Sequence, residues 1–229
     1  MQLFYKENFE VDAILDEIDS KHCVRVLRKK VGDEINVTDG IGNLFKCQIE
    51  DANPKKTKLV IIEIHREFEK SNRYVHVVIA PTKNTDRIEY FVEKAIEIGV
   101  SEISFIQAQN SERKVLKMER INRIAISAMK QSLKAYLPKL NDLVPLKSFF
   151  QSTDAAKFNL IAHLNENSEP ISNKEFSNDV CILIGPEGDF DETELSLAQE
   201  KGFQMVSMGN SRLRTETAGV VAVTLLNIL

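Results

Sequence analysis

Two short stretches hold the residues whose types and spacing could do chemistry. The first, Gly185-Pro186-Glu187-Gly188, follows the apolar run Val180 to Ile184. The second runs from Met208 and Gly209 through Leu213-Arg214-Thr215-Glu216-Thr217-Ala218 and leads into an apolar C-terminal segment. Glycines at such junctions let the backbone approach a ligand closely or adopt positive φ. Arg212, Arg214 and Glu216 fall within five residues, and charged side chains between two apolar runs must be exposed or paired. Together these features point to a ligand cradled by backbone, with charged side chains beside it. Taken singly, the first stretch reads equally as a plain turn before a helix, and the second as an Arg–Glu pair capping one. Neither is a G-x-G-x-x-G dinucleotide loop or a phosphate-binding P-loop.

The elements that must position these loops follow from periodicity. VHVVIA, SEISFI, NLIAHL, DVCILIG and FQMVSMG are short buried strands, the last ending at Met208. Between them, Ile88, Phe91, Val92, Ala95 and Ile96 fall at helical spacing, with Gly99 where a helix ends. Residues 119–137 carry Ile121, Ile124, Ala125, Ala128 and Ser132 on one helical face, with Pro138 as the stop. Asp191 and Glu194 form a capping-box pattern opening a helix that ends at Gly202, and Thr215 or Thr217 can begin the last helix. Alternating strands and helices predict a parallel sheet with helices on both faces. In such sheets ligands bind beyond the strands' C-terminal ends, where both glycine loops lie.

Residues 31–64 have a different rhythm. Val31, Asp33, Ile35 and Val37 alternate to one face. Asp39-Gly40-Ile41-Gly42-Asn43 is a turn, and Phe45, Cys47 and Ile49 return on one face. With KLVIIEI as a further strand, this segment fits a small all-β barrel. HREFEKSNR reads as a linker. Two domains are expected, 1–70 and 71–229.

The formal net charge of −4 conceals segregation. Residues 1–20 hold six acids and one lysine, and residues 187–200 six acids and no base. Residues 113–139 hold eight Lys/Arg and one acid, and residues 21–30 five Lys/Arg and no acid. Basic runs on an acidic chain can follow phosphates, or can be solvated faces. Three cysteines without a C-x-x-C pair argue against a disulfide framework and for a reducing cytoplasm. The histidines lack metal-ligand spacing, so no metal is expected. No apolar run reaches the roughly 18 residues of a membrane span, and no secretory signal opens the chain.

The combination is more specific than its parts. IGPEG, then about twenty residues, then G-x-x-x-L-R-T-E-T-A resembles the cofactor-binding half of the SPOUT RNA methyltransferases. His22-Cys-Val-Arg-Val-Leu-Arg28 with Val31-Gly-Asp-Glu and Asp39-Gly40 resembles the PUA-like barrel of the RsmE type within them. Lys83, Arg87, Glu93-Lys94-Ala-Ile-Glu-Ile-Gly-Val100, Ser111-Glu-Arg113 and Ala128-x-x-Gln131-Ser132 also match. The resemblance covers nearly the whole chain in order. Three places depart from the pattern. Asp189 stands where the family's GPEGG ends in glycine, Asn210 and Ser211 replace a Pro-Arg pair, and Lys134 stands where arginine is common.

The resemblance implies an α/β SPOUT domain with a C-terminal trefoil knot, preceded by the PUA-like β-barrel. It implies S-adenosyl-L-methionine as cofactor, N3 of a uridine in 16S rRNA of the 30S subunit as target, and a homodimer. By the same resemblance the cofactor would meet Leu164, Ile184, Gly185, Pro186, Glu187, Gly188, Met208, Gly209, Leu213, Thr215, Thr217 and Ala218. RNA would meet Arg25, Arg28, Lys83, Arg87, Lys94, Arg113, Gln131 and Lys134. Uracil N3 carries a proton, so the site must favour the anion. Arg214 is expected to stabilise that charge; Glu216 either orients Arg214, the favoured role, or accepts the proton. Two other readings carry weight: a SPOUT enzyme methylating ribose 2′-oxygen, which would lack the HxxxVLR barrel, and a non-catalytic ribosome-assembly factor, which would not need an intact LRTETA loop. A nicotinamide oxidoreductase lacks its glycine fingerprint.

Overall fold

A computed structural model describes residues 2–152, 158–165 and 168–229. The chain packs as two compact units, Met1–Lys70 with Ile126–Leu137, and Ser71–Ala125 with Pro138–Leu229.

The first unit contains β1 (Leu3–Tyr5), α1 (Glu17–Lys21), β2 (Glu34–Thr38), β3 (Leu44–Asp51) and β4 (Lys58–His65), hydrogen-bonded in the order β1-β2-β3-β4. β1 runs parallel to β2, and β2-β3-β4 is an antiparallel meander. The alternation expected along β3 is real: Phe45, Cys47 and Ile49 are buried with Phe4, Phe9 and Val37. The face expected from Val31 starts later. Gly32 takes φ +90°, Asp33 accepts the Lys30 N–H, and the strand begins at Glu34, leaving Val31 63% exposed. Between α1 and β2, His22–Val26 forms one wide helical turn, closed by the Leu27 N–H on the His22 carbonyl.

The hairpin turn at 39–43 explains why 126–137 joins this unit. Asp39 Oδ1 accepts the N–H groups of Ile41 and Asn43 at 3.0 and 3.2 Å. The turn's own backbone then pairs with a passing segment. Gly42 N–H donates to Ala135 and Leu137 N–H to Gly40, at 2.9 and 2.8 Å. A Cβ on Gly42 would lie 2.3 Å from the Tyr136 ring, so only glycine admits this approach. The helix expected over 119–137 consequently ends early. Its range is Met118–Gln131, Leu133 turns to φ +59°, and Pro138 is not the stop. Residues beyond Leu133 cannot satisfy both a helix and the hairpin turn.

The second unit contains β5 (Tyr74–Ile79), α2 (Thr85–Ile98), β6 (Glu102–Gln107), α3 (Met118–Gln131, shared with the first unit), β7 (Lys139–Pro145), α4 (Leu146–Ser152), β8 (Phe158–Ala162), β9 (Glu169–Pro170), β10 (Asp179–Ile184), α5 (Glu192–Glu200), β11 (Gln204–Ser207) and α6 (Thr215–Ile228). Among the described residues its seven strands are all parallel, ordered β7-β6-β5-β10-β8-β11-β9. Alternate residues of a strand face opposite sides. Val78, Cys181 and Leu183 pack with Phe149, Phe150 and Ala198 of α4 and α5. On the other side, Ile79 reaches α6, where a Cβ on Gly219 would lie 3.1 Å from it and 2.5 Å from Phe91 of α2. Both faces are therefore covered by helices, and the strands read as nearly continuous apolar runs.

Local signals hold well here. Ile88, Phe91, Val92, Ala95 and Ile96 are the buried face of α2, which starts on an Asn84 cap and ends at Gly99 with φ +122°. Asp191 and Glu194 make the reciprocal capping box of α5. β11 ends at Ser207, one residue before Met208.

Candidate active site

The C-terminal ends of β8, β10 and β11 open into one cavity of about 350 Å³, within the range of small-molecule sites. Its walls include Ile184, Gly185, Pro186 and Glu187 after β10, and Met208, Gly209, Leu213, Arg214, Thr215 and Ala218 after β11. Leu164, 48% exposed, closes the side beyond β8. The structure thus brings together ten of the twelve cofactor residues expected from sequence. Gly188 and Thr217 do not line the cavity. Gly188 instead lies against Asn110, whose side-chain amide donates to the carbonyls of Gly188 and Asp189 at 3.2 and 3.1 Å. Thr217 points outward on the first turn of α6.

The two loops are joined by a bond. Thr215, buried at the start of α6, donates its hydroxyl to the Gly185 carbonyl at 3.0 Å. Gly209 adopts φ +117° with open space where a side chain would project. That is a backbone shape only glycine takes easily, and it leaves the loop's amide edge accessible. Glu187 accepts the Lys83 N–H through Oε1 at 3.0 Å, while its Oε2 is buried without a hydrogen-bond partner among the described residues. An orphaned acceptor and a glycine cradle in the wall suit a small ligand with hydrogen-bond donor groups.

Arg214 and Glu216 part company. Arg214 occupies the N-cap position of α6, where its carbonyl accepts the Ala218 N–H at 2.8 Å; its exposed side chain lines the cavity, and the guanidinium makes no hydrogen bond or ion pair among the described residues. Glu216 is buried, and its charged neighbour is Arg87 of α2, with Nε 3.7 Å from Oε1. Its Oε2 has no hydrogen-bond partner among the described residues. The expectation that Glu216 orients Arg214 is therefore corrected: residues two apart at a helix start do not face each other.

The remaining residues expected to meet RNA divide sharply. Arg113 spends its guanidinium on the backbone, with Nε 2.9 Å from the Thr82 carbonyl and Nη2 on that of Lys83. Lys83 pairs with Glu112 at 2.7 Å. Lys94 is shared by Glu93 and Glu97 at 2.7 and 2.9 Å, which holds its ammonium well above the ordinary lysine range. Arg25, Arg28 and Gln131, all exposed, and half-buried Lys134 have no side-chain partner among the described residues.

Sequence reasoning missed His163 and Asp189 as wall residues. Asp189 had a signal, its departure from the family's glycine. It keeps a glycine-like backbone, φ +62°, a region that aspartate enters more readily than most residues. No group of three or more His, Cys, Asp or Glu among the described residues is arranged to hold a metal.

A parallel sheet with two hydrogen-bonded glycine loops beyond its strand ends defines an α/β domain with a small-molecule cavity. Comparison with known proteins makes this particular. Residues 69–227 match the RNA methyltransferase domain family, and residues 15–62 match the RNA methyltransferase PUA domain. The crystal structure of a probable rRNA-methyltransferase from Porphyromonas gingivalis superposes with TM-score 0.92 at 41% identity, over 97% of this chain and 95% of that one. Ribosomal RNA small subunit methyltransferase E 2 of Borreliella burgdorferi is 31% identical over 86% of this chain and 83% of its own. A ribosomal RNA small subunit methyltransferase E from Neisseria gonorrhoeae, solved bound to S-adenosyl methionine, is 26% identical with TM-score 0.86, over 97% of this chain and 95% of that one. The chain belongs to the RNA methyltransferase family that includes the ribosomal RNA small subunit methyltransferases E.

Proposed function

We propose that this chain transfers a methyl group from S-adenosyl-L-methionine to N3 of a uridine in the 16S rRNA of the 30S subunit. Membership in the RNA methyltransferase family makes it an S-adenosylmethionine-dependent rRNA-methylating enzyme. The observation that carries the reading is the single cavity walled by both glycine loops and tied by the Thr215–Gly185 bond. Bound there, the cofactor supplies an electrophilic methyl group. The chain's residues do the rest. Backbone of 184–187 and 208–209 holds the adenosine end, and Leu213 and Ala218 wall the cavity.

Arg214, whose guanidinium lines the cavity without a partner among the described residues, acts on the uracil. Its guanidinium stabilises negative charge on the ring oxygens when the N3 proton leaves. Glu216 acts through Arg87, holding that guanidinium at the junction of α2 and α6. N3 lies on the pairing edge, so the base is presented unpaired. Arg25, Arg28, Gln131 and Lys134 of the first unit meet the RNA backbone; Lys83, Lys94 and Arg113 serve the protein. The first unit is the RNA-binding domain and the second the catalytic one.

The second unit is threaded as a trefoil knot. Support comes from strand order: the chain leaves β8 for the sheet edge, returns to β10, crosses to β11, and comes back as α6 against β5 and β10. The enzyme works as a cytoplasmic homodimer, a reading that rests on the cysteine pattern for the compartment and on the family resemblance for the dimer. No helix among the described residues is long and apolar enough to cross a membrane.

The test is incubation with labelled cofactor and undermethylated 30S subunits or free 16S rRNA, followed by nucleoside analysis. Label in N3-methyluridine is expected. Label in a 2′-O-methylated nucleoside would move the chain to ribose methylation, and no transfer despite cofactor binding would make it a binding factor.

A further inference from the structure

The wall of the cavity contains a hydrogen-bonded pair that the proposed reaction leaves unused. His163 follows β8 and Asp189 follows β10, so the pair bridges two of the three strand ends at the cavity. His163 Nδ1 lies 3.0 Å from Asp189 Oδ2. A carboxylate cannot donate, so Nδ1–H does, and the neutral ring then presents Nε2 as a bare acceptor. Nε2 has no partner among the described residues.

Asp189 is itself fixed from several sides. Its N–H donates to the Pro186 carbonyl at 2.9 Å, its Oδ1 accepts the Phe190 N–H at 2.8 Å, and its carbonyl accepts the Asn110 amide. The His163 N–H is anchored on the Val206 carbonyl at 3.1 Å. The imidazole side chain is 15% exposed and lines the cavity. A ring held this way has a defined tautomer and orientation, as a ligand-reading acceptor requires.

We propose that Asp189 is a positioning residue and His163 a specificity-determining one: the pair presents His163 Nε2 to accept a hydrogen bond from an O–H or N–H of the cofactor's adenosine. This rests on the reading of the cavity as the S-adenosylmethionine site. The left-handed backbone at 189 needs only glycine or a tolerant residue; the carboxylate adds the grip on His163. The chain thus exchanges backbone freedom for a selective contact.

The experiment is calorimetric titration of the full chain with S-adenosylhomocysteine, comparing wild type, Asp189→Gly, His163→Ala and the double variant. Asp189→Gly keeps the positive φ without strain, so the fold survives in at least that variant, and melting temperature checks it. Each single variant should bind about tenfold more weakly, the loss of one well-placed hydrogen bond. The double variant should be no weaker than His163→Ala alone. The 2′-deoxy, 3′-deoxy and N6,N6-dimethyl analogues identify the donor. Wild type should discriminate against one of them, and both single variants should lose that discrimination. In ¹⁵N spectra the His163 ring should be the Nδ1–H tautomer in wild type and a mixture in Asp189→Gly. Multiplying effects in the double variant, or undiminished discrimination in His163→Ala, would overturn the proposal. If wild type fails to bind S-adenosylhomocysteine while the tautomer shift is seen, the cofactor reading fails and the pair is a structural one.

Discussion

Arg25 and Arg28 of the first unit resemble Lys83 and Lys94 of the other in sequence: all four are cations in stretches that match RNA methyltransferase domain families. In the structure they have opposite circumstances. The two arginines stand exposed with no partner among the described residues, and Arg28 sits at φ +56°, outside any regular element. The two lysines are held by Glu112, Glu93 and Glu97. The same holds within residues 113–139. Lys130 binds Asp19 at 2.7 Å, Lys139 binds Glu102 at 3.0 Å, and Arg120 grips Glu89. A count of basic residues therefore overstates the cations left free of carboxylates. What matters is how many cations remain unpaired, since a phosphate must otherwise displace a carboxylate.

Arg214 is an unpaired cation in the cavity wall of the second unit, and breaking it should have the largest effect. Arg214→Ala should lower single-turnover rate by on the order of 10²–10³ while S-adenosylhomocysteine affinity and melting temperature stay near wild type. Raising the pH should recover part of the loss, because the N3 proton then leaves without the guanidinium's help. Arg214→Lys should recover little if two parallel hydrogen bonds are needed. A matching loss in melting temperature would return Arg214 to a structural role.

How much of this was legible in the sequence depended on range. Features set by neighbours along the chain could be read: the buried face of α2, its glycine terminus, the capping box of α5, and both glycine loops. Features set by contacts distant in sequence could not. The early end of α3 depends on a hairpin about ninety residues earlier, through Gly42 and Ala135. Glu216 has a nearer arginine in sequence, yet meets Arg87 because α2 packs on α6. β7 carries mixed burial and no clean alternation, so its place at the sheet edge left little trace. His163 has an apolar neighbour on either side, and only the paired Asp189 gives it meaning.

The glycine loops come next in size. Gly209→Val forces a β-branched residue into φ +117°, and Gly185→Val sets a side chain about 3.2 Å from the Phe190 ring. Each should weaken S-adenosylhomocysteine binding at least about tenfold by calorimetry. Wild-type affinity in both would put the cofactor elsewhere.

The opposite end of the second unit's sheet offers a contrast in which pairing serves stability. Glu102, buried, accepts bonds from Tyr74, Asn141 and Lys139 at 2.8, 2.7 and 3.0 Å and faces His76 at 3.9 Å. Burial alone would raise its carboxyl; the His76 charge and these bonds outweigh it and hold the group at about 2, against an ordinary 4.5. A depressed folded-state value adds stability at pH above 4.5 and loses it as pH falls toward 2. Discounted for solvent screening, the contribution is on the order of 2 kcal/mol. Thermal melts at pH 5 and pH 3 should show a steeper fall for wild type than for Glu102→Gln. Equal slopes would remove the carboxylate from the stability of this network.

The smallest effect tests the opening contrast directly. RNA affinity falls with salt in proportion to the phosphates a protein neutralises, with a slope near one per contact. Replacing Arg25 and Arg28 together by Gln should reduce the slope of log K against log salt by about two. Replacing Lys94 by Gln should leave it unchanged, because Glu93 and Glu97 already hold that charge. Lys94→Gln also frees two carboxylates, so a slight general weakening at low salt is expected from added negative charge, without a change of slope. Melting temperature should be flat for Arg25→Gln and Arg28→Gln, whose exposed side chains make no hydrogen bond or ion pair among the described residues. If all three positions shift the slope equally, pairing in the free protein does not decide which cations meet RNA. If Lys94 alone shifts it, its carboxylates part on binding, and the RNA path runs along α2 rather than along the first unit's wide helical turn.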